Sequence, residues 1–302
     1  MKSIFMGTDD FAVPILKKVK ENSDLVLVIT QPTRPKGRGL KEIPTPVYTE
    51  ACNLGLKVLT PNKLIEAKGD ILEAKPDIIV LASYGQIVPK EILDIPKIGS
   101  LNVHPSLLPK YRGATPIQSA IMNGDKITGV TIIWMSERLD AGDIFLQKEI
   151  PIDEEDTYGT LKEKLIALSV DLITKAIKML KEGRIIRIPQ DESNATYTKP
   201  IKKEDTFINW GREAKEIVNL IRALNPTPGA IAKIGEEHYK IYKAMVVEGI
   251  SGKPGEIVKK DSKKGELIIA AGKEGVSILE IQPPNRKKMG VKEFLLGYGG
   301  KI

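Results

Sequence analysis

The feature that most constrains the fold is the alternation of short apolar runs with amphipathic segments along the first 150 residues. The runs "SIFM", "LVLVIT", "DIIVLAS" and "GSLNV" have the length and composition of strands that are buried on both faces. Segments of helical character, such as "FAVPILKKV" and "TPIQSAIMNG", stand between or after them. This order is typical of βαβ units, and it predicts an α/β fold with an open, mostly parallel sheet.

The rest of the chain divides into a long helix, a polar stretch and a series of short strands. Leucines on one face predict a helix over residues 157–183, with Thr160 and Glu163 in capping-box spacing. Beyond the polar stretch, strand-like runs separated by Gly, Lys and Asp predict a small antiparallel, OB-like β-barrel. We therefore expect a first domain over residues 1–190, a linker over 191–205 and a second domain over 206–302.

Composition and the N-terminus exclude several classes of protein. One cysteine, Cys52, permits no disulfide within the chain, and with two distant histidines it gives no zinc-ligand spacing, so we expect no metal. The start "MKSIFMGTDDF" is unlike a signal peptide, and no run of about 18 apolar residues occurs. These observations predict a cytoplasmic protein that does not span a membrane.

The positive charge is concentrated in the last third of the chain. Residues 201–302 contain 19 Lys and Arg against 13 Asp and Glu, which leaves 27 against 26 for residues 1–200. Such an imbalance favours an anionic partner, most commonly a nucleic acid. A lysine-rich, solvated surface explains the charge equally well.

A polar pair stands at the end of one predicted strand, in "SLNVHPSLLPKYRGATP". Asn102 and His104 are two residues apart, so their side chains lie on one face of the strand at its carboxyl end. Ligands of open α/β sheets bind at that edge. By placement alone, a hydrogen-bonded structural histidine beside a turn-forming asparagine is an equally good interpretation.

Other common motifs do not occur in the chain. The first βα turn, "GTDDF", lacks the glycines of a dinucleotide-binding fingerprint and the lysine of a phosphate loop. The G-x-S-x-G sequence of serine hydrolases does not occur either. A nicotinamide cofactor, a nucleoside triphosphate and a serine nucleophile are therefore not indicated.

The stretch "NVHPSLLPKYRGATPIQ", followed by "GVTIIWMSERLDAGDIF", resembles the signature of the 10-formyltetrahydrofolate-dependent formyltransferases. The resemblance extends to "FMGTDDFAVP", "ATYTKPIKKED" and "IQPPNRKKM" elsewhere in the chain. It implies a Rossmann-like formyltransferase domain with Asn102, His104 and Asp140 as catalytic residues. Without it, Asp140 is better explained as a turn residue. Pro105 and Arg138 stand where the family more often has glycine, which leaves the detailed shape of the site open.

The resemblance implies transfer of a formyl group from 10-formyltetrahydrofolate to the α-amino group of methionine on initiator tRNA, for translation initiation. That reaction passes through a tetrahedral intermediate with a developing oxyanion. Asn102 is expected to donate to the oxyanion and His104 to relay protons, while Asp140 orients His104 and favours its charged form. The chemistry requires no metal.

The resemblance also implies the residues that contact the two substrates. The expected folate contacts are Gln86, Ile87, Val88, Ser106, Leu107, Leu108, Pro109, Met135 and Leu139. The expected tRNA contacts are Arg34, Lys36, Arg38 and Lys41 in a Gly- and Pro-rich loop, "RPKGRGLK", with Arg286, Lys287 and Lys288 in the second domain. Arg38 matches the most important arginine of this loop in the family, although a solvated basic loop is the simpler interpretation.

Two other functions remain possible from the sequence. The same chemistry on a nucleotide sugar or on glycinamide ribonucleotide would use the same three catalytic residues, but it would not need the basic loop and the basic second domain together. A catalytically silent RNA-binding protein would bind tRNA without consuming formyl folate. We expect the chain to act as a monomer.

Overall fold

The architecture is described from a computed structural model, which describes residues 1–36 and 41–302. The side chains of residues 34–36, 41, 42 and 301 are outside this description. The chain divides into two compact units. The first comprises residues 1–113, 128–150 and 162–197, and the second comprises residues 114–127, 151–161 and 198–302.

The elements as far as the long helix follow the predicted alternation. The strands are β1 (Lys2–Gly7), β2 (Asp24–Ile29), β3 (Arg34–Lys36), β4 (Lys41–Ile43), β5 (Val58–Leu59), β6 (Ile78–Ala82), β7 (Gly99–His104), β8 (Arg112–Gly113), β9 (Ile127–Trp134) and β10 (Ile144–Pro151). The helices are α1 (Ala12–Asn22), α2 (Pro46–Asn53), α3 (Lys68–Ala74), α4 (Lys90–Leu93), α5 (Pro116–Met122) and α6 (Tyr158–Lys181).

Seven of these strands form one sheet in the order β10-β9-β7-β6-β1-β2-β5. The strands from β5 to β7 in this order run parallel, and β9 runs antiparallel to β7. All five residues of β6 are buried, as the continuous apolar run predicts for a strand covered on both faces. The predicted open, mostly parallel sheet is confirmed.

The start of α6 differs from the prediction in one detail. Thr157 precedes the helix, and its Oγ1 accepts from the Thr160 backbone N–H at 3.3 Å. In return Thr160 Oγ1 accepts from the Thr157 backbone N–H at 3.0 Å. Because the helix begins at Tyr158, Thr157 caps it, and the pairing of Thr160 with Glu163 was the wrong register.

The second unit contains most of the remaining elements. After β11 (Tyr197–Thr198), where the first unit ends, they are α7 (Ala214–Ala223), β12 (Ala230–Ile234), β13 (Glu237–Val247), β14 (Ile257–Asp261), β15 (Glu266–Ala270), β16 (Gly275–Gln282), β17 (Met289–Gly290) and α8 (Val291–Tyr298). The main sheet has the order β12-β13-β16-β15-β14, with β17 beside β16, and its pairs are antiparallel. Its core includes Ile217, Ile241, Val276 and Phe294. The predicted small antiparallel β domain is confirmed.

Membrane-spanning helices and clusters of metal ligands are both absent from the described residues. Within this part of the chain, no helix has both the length and the apolar character needed to cross a membrane. The same residues contain no group of three or more His, Cys, Asp and Glu side chains that could hold a metal ion.

Candidate active site

The candidate site lies at the carboxyl end of β7, next to the loop that follows β9. Asn102 and His104 lie on the same face of β7 and are 8% and 4% exposed. Asp140 comes from the loop between β9 and β10. Asn102 Nδ2 donates to Asp140 Oδ1 at 3.1 Å, so the strand and the loop are joined by their polar side chains. The structure therefore brings together the three residues that the sequence analysis grouped.

Asp140 is the centre of this cluster. Its Oδ2 accepts the backbone N–H of Gly113 at 2.8 Å and lies 3.6 Å from His104 Nδ1. The backbone of Asp140 is left-handed, with φ of 47°, a conformation that aspartate tolerates better than most residues. The carboxylate is therefore directed inward, toward Asn102 and His104, by a specific turn of the chain.

The second ring nitrogen of His104 fixes its tautomer. Nε2 lies 2.9 Å from the backbone oxygen of Tyr111, and because a carbonyl can only accept, Nε2 carries the hydrogen. In neutral His104 the lone pair is then on Nδ1, the atom that faces the Asp140 carboxylate. Proton exchange at this histidine accordingly takes place at Nδ1.

The loop between β9 and β10, which carries Asp140, is supported by residues that the sequence analysis did not select. Gln190 Nε2 donates to the backbone oxygens of Asp140 at 2.8 Å and Gly142 at 2.7 Å. Arg112 has no exposed surface and donates to Gln190 and to Glu192. The hydrogen bond from Arg112 lowers the pKa of Glu192 below its usual value and, reciprocally, raises that of Arg112. An arginine in a strand of two residues and a glutamine in an irregular segment carry no periodic signal, so a single sequence gives no means of finding them.

A cavity of about 450 Å³ lies near the beginning of β7. It is lined by Lys90, Leu93, Asp94, Pro96, Gly99, Ser100, Trp134, Met135, Ser136, Glu137 and Arg187. Ser100 is on the same face of β7 as Asn102 and His104, at about 13 Å from His104 by the rise of a strand. Its buried Oγ has no hydrogen-bond partner among the described residues. The lining therefore combines apolar side chains such as Leu93 and Met135 with charged ones, which are Lys90, Asp94, Glu137 and Arg187.

Five of the nine expected folate residues fall into three groups. Met135 lines the cavity. Ile87 and Leu139 are 83% and 58% exposed, so both are accessible to a ligand. The side chain of Gln86 is held by the backbone, because its Oε1 accepts from Leu64 N at 2.9 Å, and Val88 is buried in the core.

The stretch after His104 forms a tightly bonded loop. Ser106 Oγ donates to the backbone oxygen of Lys110 at 2.6 Å, and Thr131 Oγ1 donates to the backbone oxygen of Ser106. Leu108 is buried and its N–H donates to Thr131 Oγ1, while Leu107 and Pro109 are half-buried. None of the four expected residues, Ser106, Leu107, Leu108 and Pro109, lines the 450 Å³ cavity.

The expected tRNA contacts lie in two places. Arg34 and Lys36 are on β3 and Lys41 is on β4, which pair antiparallel, while Arg38 lies outside the described residues. The prediction of a loop was wrong for Arg34, Lys36 and Lys41. The two strands were missed because three residues are too few to show apolar periodicity. In residues 283–288, between β16 and β17, Arg286, Lys287 and Lys288 are exposed.

Comparisons with known proteins identify one family. The family model described as "Formyl transferase" matches residues 1–177, and that of "Formyl transferase, C-terminal domain" matches residues 200–299. A methionyl-tRNA formyltransferase from Carboxydothermus hydrogenoformans is 47% identical over 299 residues, which cover 99% of this chain and 97% of that protein. One from Dictyoglomus thermophilum is 42% identical over 305 residues, with the same coverage.

A solved structure gives the same result for the fold. The N-formyltransferase from Helicobacter canadensis, in complex with folinic acid and dTDP-3-aminofucose, has a TM-score of 0.71 at 22% identity. The similarity covers 96% of this chain and 100% of that one. The resemblance found in the sequence is confirmed, since a family model matches more than half of the chain and the relatives match nearly all of it. The chain belongs to the formyl transferase family.

Proposed function

We propose that this chain transfers the formyl group of 10-formyltetrahydrofolate to the α-amino group of methionine on initiator tRNA. Relatives that match nearly its whole length carry the name methionyl-tRNA formyltransferase. Within the structure, the observation that carries the proposal is the convergence of Asn102, His104 and Asp140 at the carboxyl edge of the sheet.

The reaction makes two demands on the protein. The formyl oxygen gains negative charge and needs a hydrogen-bond donor, and the attacking amine loses a proton that needs an acceptor. When bound, 10-formyltetrahydrofolate supplies the formyl group. The protein supplies the donor, the acceptor and their orientation.

Asn102 is suited to be the donor. Its Nδ2 carries two N–H bonds, of which one is directed to Asp140 Oδ1 at 3.1 Å. That contact fixes the plane of the amide and leaves the second N–H for the formyl oxygen. An amide is neutral at every physiological pH, so this donor is always present.

His104 is suited to accept the proton. Nδ1 is the basic nitrogen of its neutral form, since Nε2 donates to the Tyr111 carbonyl. The Asp140 carboxylate, 3.6 Å from Nδ1, stabilises the positive charge that the ring acquires. The same proton can then be returned to the leaving nitrogen.

The 450 Å³ cavity is the proposed site of the pterin ring. Its volume falls in the range of small-molecule sites, Leu93 and Met135 supply apolar contacts, and Ser100 supplies a hydroxyl. Because Ser100, Asn102 and His104 share one face of β7, a long ligand lying along that face reaches from the cavity to the catalytic cluster. Ile87 and Leu139 are exposed and are proposed to contact the folate as well.

The tRNA is proposed to bind the basic segments. Arg34, Lys36, Arg38 and Lys41 contact the acceptor arm, and Arg286, Lys287 and Lys288 contact the tRNA backbone. In this proposal residues 1–190 are the catalytic domain, 191–205 the linker and 206–302 the tRNA-binding domain. The excess of cations in residues 201–302 supports the last assignment. A reaction on aminoacyl-tRNA takes place in the cytoplasm, where we propose that the chain acts as a monomer.

A formylation assay tests the proposal. The full chain is incubated with 10-formyltetrahydrofolate labelled in the formyl group and with one of three acceptors, which are methionyl initiator tRNA, methionyl elongator tRNA and a dTDP-amino sugar. The sugar is included because a structural neighbour was solved with dTDP-3-aminofucose. We expect label on the initiator tRNA, much less on the elongator tRNA and none on the sugar.

The other results each contradict the proposal in a specific way. Label on the sugar alone would make the chain a sugar formyltransferase. Tight tRNA binding with no transfer would make it an RNA-binding protein. Equal labelling of both tRNAs would show that the chain transfers formyl groups but does not select initiator tRNA.

A further inference from the structure

The loop between β9 and β10 is held by residues 186–192, the segment that follows α6. Ile188 pairs with Ile144 by two backbone hydrogen bonds, and the indole of Trp134 donates to the backbone oxygen of Ile186 at 2.8 Å. Glu192 forms an ion pair with Arg138 at 2.6 Å. Residues 186–192 therefore run alongside the loop between β9 and β10 and contact it at several points.

One contact of this segment reaches the backbone of a catalytic residue. Gln190 Nε2 donates to the carbonyls of Asp140 and Gly142, at 2.8 and 2.7 Å, and so spans the turn that contains the left-handed Asp140. A hydrogen-bond donor that bridges two carbonyls of one turn limits rotation of the peptides between them. The direction of the Asp140 side chain is set by that backbone.

Arg112 determines which way the Gln190 amide faces. Its Nη2 and Nε donate to Gln190 Oε1 at 2.8 and 3.2 Å. Because an arginine can only donate, the amide oxygen must face Arg112, and the NH₂ group must face the two loop carbonyls. Arg112 is itself held by Glu192 and by the hydroxyl of Tyr197.

We propose that Gln190 is a positioning residue for the formyl transfer, acting through Asp140. It holds the turn at Asp140 so that the carboxylate meets Asn102 Nδ2 and the Gly113 N–H and faces His104. Arg112 keeps the Gln190 amide in the orientation that this requires. The inference depends on the proposed function, because the reaction is the formyl transfer assigned above.

The substitution Gln190→Glu tests the proposal with little change of shape. Glutamate retains an oxygen for Arg112, so the buried guanidinium keeps its partner, but it places a second oxygen against the carbonyls of Asp140 and Gly142. Repulsion moves the turn, and a displacement of about 1 Å at a catalytic group lowers rates about 100-fold. We expect kcat to fall about 100-fold while KM for 10-formyltetrahydrofolate changes less than about twofold.

Asp191→Ala is the matched control in the same segment. The Asp191 carboxylate accepts from the backbone N–H of Ser193 at 3.0 Å and from Asn194 Nδ2 at 2.7 Å. Its loss loosens the segment and leaves the bonds of Arg112 and of the Gln190 amide in place. We expect a lower melting temperature with kcat close to that of the unchanged chain. If Asp191→Ala lowers kcat as much as Gln190→Glu does, the effect is general loosening of the segment, and the proposal fails.

A double-mutant cycle separates positioning from stability. In an Asp140→Asn background, Gln190→Glu should lower kcat by less than about threefold more, because the group that Gln190 positions is already lost. A further loss as large as in the unchanged chain would mean that Gln190 acts independently of Asp140, and it would overturn the inference.

A crystal structure of the Gln190→Glu variant gives a result that does not depend on activity. We expect the Asp140 carboxylate to lose its hydrogen bond to Gly113 N. An unmoved carboxylate would refute the positioning role. If the unchanged chain formylates no aminoacyl-tRNA, the proposed function fails by itself, and this structure still decides whether Gln190 sets the geometry of Asp140.

Discussion

The proposed catalytic edge of the sheet and residues 283–288 use charge in opposite ways. At the edge, Arg112 is fully buried, and each polar group contacts the next, from Arg112 through Gln190 to the turn at Asp140. In residues 283–288, three consecutive cations, Arg286, Lys287 and Lys288, are exposed.

This difference determines how each region should respond to substitution. A buried, connected set of polar groups acts as one unit, since loss of one member leaves another unsatisfied or misplaced. Exposed cations contribute small terms that are screened by salt and that add nearly independently. We therefore expect large, coupled effects at the edge and small, additive effects in residues 283–288.

Removing a member of the catalytic cluster gives the largest expected effect. Asn102→Ala, His104→Ala and Asp140→Ala should each lower kcat/KM about 100-fold or more, the usual scale of acid-base and oxyanion contributions. A triple variant should be little worse than the worst single variant, because the three groups act on one reacting centre. Single-turnover formylation measures the rate for each variant, and circular dichroism shows whether the variant is folded. Full turnover by His104→Ala would show that the proton leaves by another route.

Gly142→Ala tests whether the geometry of the loop matters apart from its side chains. A Cβ at Gly142 would lie 1.7 Å from the backbone oxygen of Trp134, so the backbone must move. We expect a loss of roughly 1–3 kcal/mol in the free energy of unfolding and about 100-fold in kcat.

Gly69→Ala is the matched control for that glycine. Gly69 is in α3, and a Cβ there would meet nothing within 4 Å. Alanine is the better helix former by about 1 kcal/mol, so this variant should be slightly more stable and fully active. Unchanged kcat and KM for Gly142→Ala would mean that the loop adapts to the added methyl group without loss of activity. The edge of the sheet would then not act as one connected unit, and its contrast with residues 283–288 would fail.

Arg38→Ala is expected to have an intermediate effect, on discrimination more than on chemistry. A guanidinium binds phosphate by two parallel hydrogen bonds, which an ammonium cannot do. We expect kcat/KM for initiator tRNA to fall about tenfold with much less loss of elongator tRNA binding, and Arg38→Lys to restore only part of it. Equal losses on both tRNAs would reduce Arg38 to a general phosphate contact.

The sequence was sufficient for those parts of the site that depend on a strand's geometry. Alternation along β7 placed Asn102 and His104 on one face, and the structure confirms that placement. The same spacing could have identified Ser100 as a third residue of that face. The pairing of Asp140 with Asn102 depends on a loop 38 positions away, and it was accessible only through the resemblance to a family.

The supporting residues could not be predicted for a physical reason. Arg112 and Gln190 lie in short or irregular segments 78 positions apart, and only the tertiary fold makes them neighbours. A buried arginine also contradicts the usual preference of charged residues for the surface, so composition gives no indication of it. Short strands such as β3 and β4 were missed because three residues are too few for a pattern.

The smallest expected effects are at the exposed neighbours Lys287 and Lys288. Lys288 Nζ is paired with Glu280 Oε2 at 2.8 Å and lies 5.5 Å from the centre of the Tyr242 ring, so it must leave these partners to reach a phosphate. Lys287→Ala should reduce the slope of log binding constant against log salt concentration by about one unit, equally for initiator and elongator tRNA. Lys288→Ala should change that slope by less, since part of its charge is already offset. Filter binding of both tRNAs between low and moderate salt measures both variants. A loss of binding confined to initiator tRNA would show that residues 283–288 select the tRNA. The edge of the sheet and residues 283–288 would then differ in burial, but both would act specifically.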